Sequence, residues 1–159
     1  MNVFVTGAAG FIGGSIATGL VQAGHNVTGL VRSAEQADEL KALGITPVIG
    51  TLDDKTLLAE QARAADAVIN AASSDHRAAV EALLDALRGS NKVFLHTSGS
   101  SIVGDASGGK SSDVIYYEDN LPEPTVDKAA REAIDNLIPD AAKDAVNSAV
   151  ICNTLIHGH

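Results

Sequence analysis

Thr6-Gly7-Ala8-Ala9-Gly10-Phe11-Ile12-Gly13 decides how this chain is read. Before it, Asn2-Val3-Phe4-Val5 alternates as a strand does, and after it residues 11–23 follow a helical pattern. Glycines at 7, 10 and 13 allow a tight strand-to-helix turn, bring backbone amides close to a pyrophosphate, and let the helix pack on the first strand. A glycine-rich turn with no ligand would hold the same three glycines. The flanking strand and helix, and the alternation that continues beyond them, favour a seat for a nucleotide cofactor.

Residues 26–31 read as a second strand, 34–43 as a helix and 46–49 as a third strand, a βαβ unit. Asp53-Asp54 signals the N-cap of a helix to about residue 64. A fourth strand over 67–70 and a longer helix over 75–88 follow, with Val80, Leu83, Leu84 and Leu87 on one face. A fifth strand is expected over 92–97, a mostly helical stretch over 126–145 that Pro139 should kink or break, and a sixth strand over 148–153. The whole chain, 1–159, reads as one α/β domain, a Rossmann-like doubly wound parallel sheet. Residues 99–124, polar and rich in Gly, Ser and Pro, leave the carboxyl end of a strand, where such sheets bind ligands, and are expected to border the active-site crevice.

A chain of 159 residues can bury a core without disulfides or metals. Its 11 Lys plus Arg against 20 Asp plus Glu give a formal charge of −9, which disfavours nucleic acid and anionic membranes as partners and makes any anion site a local one. The single cysteine, Cys152, cannot form an internal disulfide; it lies in an apolar run and is expected to pack as a small buried hydrophobe, in a reducing cytoplasm. No leader of signal-peptide form and no run of membrane-spanning length is present, so a soluble protein is expected.

A dinucleotide lacking a 2′-phosphate normally meets an acidic residue at the end of the second strand; here that strand ends Leu30-Val31-Arg32-Ser33. Arg32 can pair with a 2′-phosphate through its planar donor fork and Ser33 can add a hydroxyl, which favours NADP over NAD; the alternative is a solvated arginine at a strand end. Leu52, in Thr51-Leu52-Asp53, either flanks an adenine or belongs only to the next helix cap. Asn70-Ala71-Ala72-Ser73 leaves the fourth strand with small residues that permit close backbone approach to a ribose, or simply pack well. His96 lies in an apolar run and reads as a core histidine, and His157 with His159 lacks the further ligands a metal site needs.

With these residues in place the chain resembles the short-chain dehydrogenase/reductase superfamily, in its extended or atypical branch of NAD-dependent epimerase/dehydratase-like proteins. The matching marks are the 6–13 glycine motif, Asn70-Ala71-Ala72, the run from Thr97 through Ser98 to Gly104, Lys128 with Glu132, and the segment 150–158. The resemblance implies that Thr6, Gly7, Gly10, Phe11, Ile12, Gly13, Asn70, Ala71, Ala72, Thr97 and Lys128 surround the cofactor. It also implies hydride transfer on a small carbonyl, alcohol or sugar-nucleotide substrate, in which a Ser or Thr polarises the substrate, a Tyr moves the proton, and a Lys four residues later tunes the Tyr and binds ribose. Two departures stand out. The position matching the catalytic Ser or Thr is Gly99, flanked by Ser98 and Ser100, and the position matching the Tyr is Pro124, leaving Tyr116 or Tyr117 of the long loop as the only phenols.

Lys128 then either meets ribose hydroxyls or pairs with Glu132 on the helix surface. The missing Tyr favours, as an alternative, a noncatalytic dinucleotide sensor. Family members continue past the sixth strand into elements that form most of the substrate domain, so that domain reads as missing or truncated here. The resemblance further implies a homodimer through the helices bearing Val80-Leu83-Leu84-Leu87 and Ala130-Ala133-Ile134-Leu137, although each stripe serves equally as internal core.

Overall fold

The computed structural model describes residues 1–104 and 108–156. Strands β1 (Asn2–Thr6), β2 (Asn26–Val31), β3 (Thr46–Ile49), β4 (Ala67–Asn70), β5 (Val93–Gly99) and β6 (Asn147–Asn153) alternate with helices α1 (Phe11–Gln22), α2 (Ala34–Ala42), α3 (Lys55–Ala64) and α4 (Arg77–Leu87). The strands form one parallel sheet in the order β3-β2-β1-β4-β5-β6. Order reverses between β1 and β4, and outside the carboxyl ends of strands at that reversal a doubly wound sheet opens a crevice.

Central strands of such a sheet are covered on both faces and read as continuous apolar runs. In β1, Val3, Phe4 and Val5 are all buried. Phe4, Val68 and Phe94 meet Leu58, Leu83, Ile134 and Ile138 on one face; Val3, Val5, Val27 and Ile69 meet Ala17, Ala37 and Leu40 on the other. Caps set the helix starts: Ser33 Oγ accepts from Gln36 N at 3.3 Å, and Asp54 Oδ1 accepts from Leu57 N at 3.0 Å. The fourth helix begins two residues later than expected, capped by the His76 ring, whose Nδ1 accepts from Ala79 N.

Two expectations are corrected. The stretch 126–145 is not one kinked helix: α5 (Ala129–Asp135) and α6 (Leu137–Asp140) are separated at Asn136, and a 3₁₀ turn Ala141–Asp144 follows. Pro139 sits in the first turn of α6, where its missing N–H is tolerated, so the break falls ahead of it. Cys152 is exposed rather than buried, because β6 is the edge strand and pairs only with β5. Val80, Leu83, Leu84 and Leu87 are buried within the chain, as the internal-core alternative for that stripe has it, and on α5 the inward residues are Ile134 and Asp135, followed by Ile138 of α6, while Ala130 and Ala133 face outward. No helix among the described residues is long and apolar enough to cross a membrane.

Candidate active site

At the switch point the glycine loop and the exit of β4 are pressed together. Gly7 has φ +71°, and a Cβ on it would lie 2.6 Å from the Ala71 carbonyl oxygen. A Cβ on Gly13 would fall 2.2 Å from the Gly7 carbonyl oxygen, so this turn of α1 packs directly on the loop. The first turn of α1 carries no acidic side chain and its Gly10 N-cap makes no side-chain cap bond, which leaves helix amides for an anion. A cleft of about 470 Å³ opens beside them, walled by Gly10, Val31, Arg32, Gln36, Leu52 and Ala72 among others. Arg32 is exposed at its rim and has no ion-pair partner among the described residues; its backbone N–H donates to Gln36 Oε1 at 3.0 Å. The cleft's own residues therefore fit a dinucleotide, being small where a pyrophosphate must approach.

Behind the cleft runs a buried polar row across the carboxyl half of the sheet. Thr6 Oγ1 donates to Asn70 Oδ1, and Asn70 Nδ2 lies 2.9 Å from His96 Nδ1. The amide so oriented leaves His96 with its proton on Nε2, which faces Asp135 Oδ1 at 3.6 Å, beyond a good hydrogen bond; neither atom has another protein partner. Asp135 Oδ2 accepts from Ser98 Oγ at 2.6 Å. Burial lowers the His96 pKa to about 4, with the Arg131 charge adding to the effect and Asp75 opposing it. Burial pushes the Asp135 carboxyl up, against the Ser98 hydrogen bond and the Arg131 charge.

On the solvent side of this row, Arg131 of α5 forks onto Asp75 in the β4–α4 loop, Nε to Oδ1 at 2.8 Å and Nη2 to Oδ2 at 2.6 Å. Its Nη1 donates to Ser101 Oγ at 3.0 Å. The fork holds the Asp75 carboxyl below the usual carboxylate range. From the next residue, His76 Nε2 reaches Asp53 Oδ1 at 3.1 Å, so consecutive residues tie the loop that walls the cleft to opposite halves of the sheet.

Residues 7–151 match the family described as NAD(P)H-binding. The chain belongs to that family. Relatives include an uncharacterized protein of Schizosaccharomyces pombe, 38% identical over 83% of this chain and 47% of its own length. Another is the oxidase ucsJ of Acremonium sp, 35% identical over 99% of this chain and 51% of its own. The chain thus spans about half the length of these relatives. Among solved structures, the fold matches yeast methylglyoxal/isovaleraldehyde reductase Gre2 complexed with NADPH at TM-score 0.71 and 19% identity, over 97% of this chain and 56% of that one. It matches the UDP-glucose-4-epimerase of Stenotrophomonas maltophila with bound NAD at TM-score 0.73 and 20% identity, over 94% and 51%. This NAD(P)H-binding domain thus has the Rossmann-like fold of the epimerase/dehydratase-like short-chain dehydrogenases/reductases.

Of the residues singled out in the sequence, Gly7, Gly10, Arg32, Leu52, Ala71 and Ala72 come together in the cleft. Thr6 and Asn70 are buried beneath it, bonded to each other. Phe11 and Ile12 begin α1 without lining the cleft, and Thr97 is half-buried on β5. The Ser33 hydroxyl caps α2. Ser98 faces Asp135 in the interior, while Ser100 and Tyr117 line a separate hollow. Lys128 lies just before α5 with Nζ 3.0 Å from Asp127, not Glu132. His96 is buried as read, and His157, Gly158 and His159 lie outside the described residues. Gln36, Asp75, Arg131 and Asp135 were not singled out; the last stands next to inward Ile134 on α5, and no local pattern marks it.

Proposed function

We propose that this domain binds NADP(H) in preference to NAD(H) and serves an oxidoreductase acting on a small carbonyl or alcohol compound. Arg32 carries the reading. It stands exposed where β2 ends, beside the cleft, with neither an acidic residue at that strand end nor an ion-pair partner among the described residues. A guanidinium so available matches the geometry and charge of a 2′-phosphate.

Gly7, Gly10 and the N-terminus of α1 would seat the pyrophosphate, and Ala71 with Ala72 would admit a ribose. A bound nicotinamide cofactor supplies or accepts a hydride. The chain's part is to orient it and to hold protons nearby. Ser98 donates its proton to Asp135, His96 stands behind that carboxyl in neutral form, and Arg131 holds the loop after β4 against the turn after β5. Tyr117 is 60% exposed and borders no part of the cofactor cleft, which supports the second reading, a dinucleotide sensor without chemistry of its own.

Calorimetric titration with NADPH and NADH tests the cofactor assignment on wild type, Arg32→Ala and Gly10→Val. Tighter NADPH binding, weakened selectively in Arg32→Ala and abolished in Gly10→Val, is the expected result; equal affinity for both cofactors in wild type refutes the NADP preference. NADPH oxidation with added ketones separates the enzyme from the sensor.

A further inference from the structure

A second hollow, of about 570 Å³, shares no lining residue with the cofactor cleft. Ser100, the residue immediately after β5, lines it together with Val150, Ile151 and Cys152 of the edge strand β6. That volume lies within the range of roughly 300–1,000 Å³ typical of small-molecule pockets. Ile102, Val103, Tyr117, Leu121 and Ile151 give it apolar walls. Three of them, Tyr117, Leu121 and Ile151, are at least 40% exposed, leaving apolar surface that a ligand can cover.

The polar groups set the ligand's charge. Asp135 and Glu118 line the hollow, and no Lys, Arg or His does among the described residues. The neighbouring cation, Arg131, is bonded to Asp75 and Ser101. A phosphate or carboxylate placed here meets two carboxyl groups and no counter-charge, in a chain of formal charge −9. Asp135 is only 6% exposed, its Oδ2 accepting from Ser98 and its Oδ1 turned toward His96 Nε2, so Glu118 is the more open of the two lining carboxyl groups.

We propose that this hollow binds an uncharged, mainly apolar alcohol whose hydroxyl donates to one of the two lining carboxyl groups, and that it excludes sugar nucleotides. Its role as the substrate pocket rests on the oxidoreductase reading above; the ligand chemistry does not.

Cys152 supplies the assay. It is the only cysteine of the chain, it is exposed, and it lines the hollow, so its alkylation rate reports occupancy. The full chain is treated with N-ethylmaleimide in the presence of cyclohexanol or UDP-glucose, with and without NADP⁺. Cyclohexanol is expected to slow alkylation saturably, by roughly tenfold at about ten times its Kd, and UDP-glucose to leave the rate unchanged. Val103→Trp, which fills the hollow, and Asp135→Asn paired with Glu118→Gln, which removes both carboxylates, should each weaken protection. An alkylation rate indifferent to cyclohexanol, or protection by UDP-glucose, overturns the proposal on wild type alone, whatever the variants do. Cyclohexanol protection in a chain that fails to bind NADPH overturns only the role as substrate pocket.

Discussion

Acid should destabilise this domain through one buried imidazole. His96 is 0% exposed, and burial takes its pKa from 6.5 to about 4. In the unfolded chain the ring titrates near its ordinary value, so between those two values the unfolded state binds a proton that the folded state refuses. The stability that neutral His96 confers is therefore complete above about pH 6.5 and is lost as pH falls toward about 4. With these values the loss at about pH 4.5 is roughly 2.5 kcal/mol, or about 1–2 M in urea midpoint for a domain of this size. Asp135 acts in the opposite sense: its raised carboxyl takes up a proton in the folded state first as pH falls, adding stability on the acid side. The His96 contribution must therefore be isolated by difference. Urea unfolding of wild type and His96→Gln from about pH 7.5 to 4.5 should show wild type losing about 2.5 kcal/mol more than the variant over that interval. Parallel profiles for the two proteins, or a His96 ring signal that titrates near 6.5 by NMR, would refute the argument.

Gly13 and Gly19, two of the three glycines of α1, should respond oppositely to alanine. At Gly13 the added Cβ meets the Gly7 carbonyl oxygen at 2.2 Å, so Gly13→Ala is expected to cost about 3 kcal/mol and displace the glycine loop, whereas Gly19 has open space around it and Gly19→Ala should gain up to about 1 kcal/mol; thermal unfolding reads both. Arg131→Met and Asp75→Asn remove the two ends of one fork. A double-mutant cycle on stability should give a coupling on the order of 1 kcal/mol, kept small because the Asp75 side chain is 60% exposed, and zero coupling would mean that the fork does not hold the loop in solution.

What could be read from the chain, and what could not, divides along sequence separation. The bounds of β2, β3 and β4 match the expected strands, because each is a short apolar run bounded by a cap or a turn that its own residues specify. Gly13 was legible for the same reason: the clash it avoids is with the Gly7 backbone, one turn away, whereas Gly7 was legible from the motif although the backbone it must clear, at Ala71, is remote in sequence. The face of α5 is hard to read because Ala129, Ala130 and Ala133 give a weak amphipathic pattern, while the buried Asp135 and the half-buried Arg131 are polar. Nothing local marks either as a site residue. Their partners lie 56 residues away for Arg131 with Asp75 and 37 for Asp135 with Ser98, and the row beneath the cleft closes over 64 and 26 residues through Asn70. A buried polar group is stable only where such partners arrive, so these side chains acquire their meaning from strand order. The parallel sheet brings the ends of β1, β4 and β5 side by side, and the buried donor and acceptor left without full partners among the described residues, His96 Nε2 and Asp135 Oδ1, face each other where strand order has brought β5 against α5.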